Sequence, residues 1–131
     1  MAECDWGILC DYAFLDFGRK MCMIGVFDRV FAATVPSSLH LAALAMRLLG
    51  QPRETVNFRV EVIRPTGGQL AAFEGSVQFG DTGTSELQFN IAGLPLPDYG
   101  IYSFNIYEGP TLLRAATFVV AQPPQQPPVT Q

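Results

Sequence analysis

The stretch "LPLPDYGIYSFNIYEGPTLLRAATFVV", residues 94–120, decides the fold. Two apolar runs flank a turn at "EGP". In the first run Tyr102, Phe104 and Ile106 alternate with Ile101 and Ser103, the period of two that sends one set of side chains inward. The second run, "LLRAATFVVA", returns antiparallel to it. Ahead of both, "LPLPD" carries the chain across the top of the fold, since its prolines lack a ladder donor. Asp98, Gly100 and Tyr102 stand at every second position where this connection meets the strand. A tyrosine placed there can send its hydroxyl back to a backbone group of the arch and fix the crossover between two sheets. Asp98 can add a turn-stabilising bond, and Gly100 admits a close approach where a Cβ would collide.

The spacing of Asp98, Gly100 and Tyr102 resembles the tyrosine corner of immunoglobulin-type sandwiches. In those domains a disulfide cysteine follows two residues after the tyrosine, whereas this chain has Phe104. A ring at that inward site fills the space that a bridge and its packing tryptophan share, and needs no oxidising surroundings. The resemblance implies an all-β, immunoglobulin-like antiparallel β-sandwich, with Asp98, Gly100, Tyr102 and Phe104 as its structural corner.

Outward from the corner, short apolar runs are separated by Gly, Pro and Asp clusters, as in sandwiches. "ILCDYAFL" and "MCMIGVF" form a hairpin around the turn "DFGRK". "VFAAT" reads as a short edge strand stopped by Pro36. "TVNFRVEVIRP" turns Val56, Phe58, Val60 and Val62 inward. After "TGGQ", the run from Leu70 to Phe79 sets Ala71, Phe73, Gly75, Val77 and Phe79 on one face. Beyond "GDTGTS", "ELQFNIAG" alternates Leu87, Phe89 and Ile91 against Gln88 and Asn90. "SSLHLAALAMRLLG" is ambiguous: Ala and Leu favour a helix that Ser37 or Ser38 can cap, yet a buried strand also reads as a nearly continuous apolar run. Counting it as a strand gives roughly eight to nine strands, the number typical of sandwiches.

"DYAFLDFGRKMCMIGVFDRVFAATVP" and "YGIYSFNIYEG" are similar to a bacterial family of small cytosolic β-sandwich proteins of unknown function. The positions that carry the likeness are Asp11, Tyr12, Ala13, Gly18, Lys20, Gly25, Phe27, Asp28, Pro36, Gly100 and Tyr102, and it extends over residues 10–120. It implies a fold and no activity, and it favours the strand reading of residues 38–49.

A chain of 131 residues buries one core, which we place in residues 1–121. With 49% apolar and 15% charged residues it is too hydrophobic for a disordered chain. The net charge is −4, and the eight basic residues are scattered without a stripe to neutralise phosphates, which argues against nucleic acid as a partner. The longest apolar stretch is broken by Arg47 and falls short of the ~20 residues that span a bilayer. "MAECDWGILC" opens with acids rather than a basic region before an apolar run, so we expect a cytoplasmic protein. Cys4, Cys10 and Cys22 form no CxxC pair; we expect no disulfide, with Cys10 and Cys22 as small buried residues on adjacent strands. The tail "QPPQQPPVTQ", residues 122–131, cannot join a sheet, and its PxxP spacing at Pro124 and Pro127 reads as a disordered, extended terminus.

Chemistry-bearing groups are sparse. His40 is the single histidine, with no second base or serine elbow to form a triad, and reads as a strand-end side chain bonded to backbone. Asp11, Asp16 and Asp28 can meet at one end of the first hairpin, but without a D-x-D-x-D run they read as turn caps and not as cation ligands. Gly67 and Gly68, or the loop from Gly80 to Gly83, lack the strand and helix that frame a phosphate loop. Trp6, Tyr99, Tyr102, Tyr107 and the phenylalanines read as core and not as an exposed platform. No catalytic residue, metal ligand or cofactor site is assigned. Two functions follow from this: a non-enzymatic protein-interaction or structural module that pairs with another protein or its own copy, or a sandwich that binds carbohydrate or another small molecule through loops at one end.

Overall fold

The computed structural model describes residues 2–124. Nine strands follow in order: β1 Glu3–Leu15, β2 Met21–Val26, β3 Arg29–Phe31, β4 Ser37–Leu49, β5 Thr55–Ile63, β6 Gln69–Gln78, β7 Thr84–Leu96, β8 Gly100–Glu108 and β9 Thr111–Ala121. They form two sheets, one in the order β2-β1-β4-β7 and one in the order β3-β9-β8-β5-β6. With β4 beside β7 in one layer and β5, β8 and β9 together in the other, the chain is an all-β sandwich of immunoglobulin type. One pairing departs from the antiparallel expectation: β3 runs parallel to β9, with Arg29 opposite Val119 and Phe31 opposite Ala121. This short strand ends at Phe31, so most of "VFAAT" is connection rather than strand.

The interior is made as the period of two requires. Val56, Phe58, Val60 and Val62 of β5 are buried, as are Tyr102, Phe104 and Ile106 of β8, Leu44, Met46 and Leu48 of β4, and Phe118 and Val120 of β9. Each such large side chain contributes about 1.5–3 kcal/mol by leaving water. Phe118 stacks on Tyr102 at 5.1 Å between ring centroids and lies 6.3 Å from Phe104, so aromatic rings occupy the region where a covalent bridge was missing from the sequence.

Two expected boundaries move. "LPL" is not part of the crossing: Leu94, Pro95 and Leu96 continue β7 opposite Leu39, Ser38 and Ser37. Pro95 is tolerated because β7 is an edge strand, whose outward side needs no N–H donor. The arch is then only residues 97–99. At the other end, β1 starts at Glu3 rather than Ile8, with a register shift between Cys4 and Trp6 where it pairs with β4.

Residues 38–49 form strand and not helix, and residues 42–46 are all buried. Their inward set belongs to the sandwich core, while Ala43 and Ala45 join Cys10 and Ala13 in a second, smaller cluster to which Trp6, Met21 and Met23 contribute. The cause is the first hairpin. β1 pairs with β4 only as far as Cys10 opposite Ala43; beyond that point it pairs with β2 alone. This distal part, residues 11–26, forms an arm whose β1 edge turns onto the outer side of β4 and β7. Asn90 of β7 holds it there, accepting from the Ala13 N–H at 3.1 Å and donating to the Ala13 carbonyl at 2.9 Å. At the base of the arm the ladder skips Asp11 and Gly25, where Gly25 has φ of 69° and a Cβ would lie 2.7 Å from Asp11 Cγ. Only glycine satisfies both conditions.

Among the described residues no helix is long and apolar enough to cross a membrane. Residues 122–124 follow β9 outside any strand, and Pro127 with the remainder of the proline-rich tail lies outside the described residues.

Candidate functional site

The corner forms as its residues require. The Tyr102 hydroxyl donates to the Asp98 carbonyl at 2.7 Å and accepts from the Asp98 N–H at 2.9 Å, so one buried phenol satisfies both main-chain groups of the arch. Burial pushes the Tyr102 phenol above its ordinary value, the bond from the Asp98 backbone opposing this only in part. The Asp98 carboxylate turns away to Arg64 at the end of β5, where Nε and a terminal guanidinium nitrogen both lie 2.8 Å from Oδ2. Gly100, at φ of 127°, lies against Pro65, whose Cβ would be 3.0 Å from an added Cβ. Arch, β8 and the β5–β6 turn are thus locked together. The four corner residues serve the fold, and their polar groups are turned into it.

The other sequence candidates do not converge. His40 is exposed on β4 and its imidazole makes no hydrogen bond among the described residues, so the expected side-chain bond to backbone is absent. It borders an open depression of about 310 Å³ with Asp11, Leu39 and Leu41. Asp16 caps the arm's turn, accepting from the Lys20 N–H at 2.9 Å. Asp11 and Asp28 lie at the opposite end of β2, and no group of three potential ligands that could hold a metal ion occurs among the described residues. Gly67 sits in the turn of the β5–β6 hairpin, whereas Gly83 lies in the connection from β6 to β7, strands of different sheets, so that loop is not the hairpin turn its sequence suggests. Another open depression, about 400 Å³, is lined by Asn57, Phe58, Glu74, Gly75 and Ser76.

All three cysteines are free. Cys4 and Cys10 are buried, and burial raises both thiols above their usual value. Cys22 is only half-buried, contrary to expectation, because it pairs with Phe14 on the solvent face of the arm.

That face is what the sequence reading missed. Opposite the side that carries Ala13, Met21 and Met23, the arm presents Tyr12 and Phe14, with ring centroids 6.0 Å apart, and Ile24 directly across from Tyr12. Tyr12 is 43%, Ile24 57% and Val26 63% exposed, and Phe17 at the turn is fully exposed. Phe14, Leu15, Asp16 and Phe17 line a depression of about 310 Å³. β2 is also the outer strand of its sheet. Arg19 and Lys20 stand at its beginning and Asp11 and Asp28 near its end, all four exposed and without an ion pair among the described residues. The signal was in "DYAFLDFGRK": a phenylalanine inside a hairpin turn cannot reach a core, and Tyr12 and Phe14 flank a small residue that can.

One protein-family model matches residues 5–121, nearly the whole chain. The chain belongs to DUF6941, a family of unknown function. The DUF6941 match runs from β1 to the last residue of β9, so it takes in the arm as well as the sandwich. Among solved structures, an immunoglobulin-like protein from Pseudomonas aeruginosa is similar at 16% identity, over 92% of this chain and 97% of that one, with a TM-score of 0.45. No curated protein matches this DUF6941 chain.

Proposed function

We propose that this chain is a non-enzymatic protein-interaction module that docks through the outward face of its β1–β2 arm. The observation that carries this is the concentration of large exposed apolar side chains on one element: of the ten most exposed, Tyr12, Phe14 and Ile24 lie on this face and Phe17 at its turn, with Leu15 and Val26 elsewhere on the same arm. Scattered apolar residues are ordinary on a protein surface, whereas a contiguous patch beside an unpaired strand edge marks a contact site. The same reading places the protein in the reducing cytoplasm, supported by three free thiols and by aromatic packing at the corner in place of a bridge.

The test is affinity capture from cells of the source organism with the wild-type chain and with Phe17→Asp/Ile24→Lys, the captured proteins being identified by mass spectrometry. Both positions are exposed, so the variant keeps its circular dichroism and melting temperature. The expected result is a partner, this chain itself included, that is retained by wild type and lost by the variant. Equal recovery with both proteins refutes the docking face.

A further inference from the structure

We infer that the occupant of this face is a second copy of the chain, paired antiparallel through β2 across a two-fold axis; the inference rests on the docking role proposed above.

Three observations point to the copy. First, the four edge strands differ in protection. β3 carries Arg29, β6 carries Glu74, and β7 carries Glu86 and Pro95, the charges and proline that keep edges from pairing. β2, "MCMIGV", carries neither. The irregular Gly25 confines its regular part to residues 21–24, a short edge suited to one defined partner rather than to open-ended growth.

Second, the edge is complementary to itself in charge. Antiparallel pairing of two identical strands brings the beginning of each to the end of the other. The Arg19 and Lys20 end of one copy then meets the Asp28 end of its partner, and the two-fold makes the contact twice. Arg29, next in the chain, already belongs to β3 in the other sheet. Third, the area suffices. Tyr12, Phe14, Phe17 and Ile24 of this face offer on the order of 500 Å² per copy, and the main chain of β2 with Val26 at its end brings this toward the ~800 Å² per partner of a stable interface.

Sedimentation equilibrium tests this with the full chain. Wild type is expected to approach twice its 14.3 kDa mass, with a dissociation constant on the order of 10 µM that rises with salt. Lys20→Asp and Asp28→Lys each set like charges against each other at both contacts, and each is expected to weaken the dimer at least about tenfold. Mixing the two variants restores opposite charges at both contacts and is expected to restore dimer, an outcome no other interface produces. A wild-type chain that stays monomeric at about 200 µM, or a mixture that remains monomeric, overturns the inference. If a different protein is still captured through the face, the docking role survives and only self-pairing falls; if neither is seen, both fall.

Discussion

Removing one oxygen at the corner is the sharpest perturbation the structure offers. Tyr102→Phe keeps the ring, and with it the 5.1 Å stack on Phe118, but takes away the hydroxyl that serves both the N–H and the carbonyl of Asp98. A net hydrogen bond is worth about 1 kcal/mol, and a main-chain group left buried without a partner costs about 1–3 kcal/mol. Water can reach the half-exposed arch and recover part of this, so the expected loss is about 2–3 kcal/mol. For a chain of this size that lowers the melting temperature by roughly 8–12 °C. Urea unfolding followed by tryptophan fluorescence measures it, with an unchanged m-value showing that the same surface is exposed on unfolding. Tyr107→Phe is the control: that hydroxyl makes no hydrogen bond among the described residues, and its loss is expected to stay within about 0.5 kcal/mol. If Tyr102→Phe is as mild as the control, the corner does not hold the crossover.

Three further outcomes are expected. Because burial raises the Tyr102 phenol above 10.0, the folded chain holds that proton more tightly than the unfolded one. Its contribution to stability is complete below pH 10 and is lost as pH rises through the folded value, so alkaline unfolding should sharpen in wild type and lose that slope in Tyr102→Phe, as followed by phenolate absorbance. A thiol reagent should label Cys22 in the folded protein while Cys4 and Cys10 react only on unfolding; prompt labelling of all three contradicts the burial described. Asn90→Ala frees both main-chain groups of Ala13, so hydrogen exchange should quicken at least about tenfold at Ala13 and leave the amide of Asp98 unchanged.

What could be read from residues alone was what depends on near neighbours. The alternation of Val56 to Val62 requires no partner to be legible, and the corner closes between Asp98 and Tyr102, only four positions apart. Features set by distant partners were hidden. Ala13 and Asn90 are 77 positions apart, and without that contact nothing in "HLAALAMRLL" tells a strand covered on both sides from a helix. The parallel placement of β3 beside β9 depends on where the chain re-enters after the arm, which no local pattern records. "LPLP" misled because a proline reads as a break, whereas on an edge strand its missing donor costs nothing. Phe14 and Phe17 were assigned inward with the other phenylalanines, although the arm leaves them in solvent.

The alanines beneath the arm carry a mechanical consequence. Methyl groups at positions 43 and 45 give the hairpin a shallow seat, so what holds it down is the cover of Met21, Met23 and Trp6 and the two bonds of one amide side chain. Because this cluster is separate from the sandwich core, lifting the hairpin is expected to cost less than global unfolding and to leave the contacts between the two sheets in place.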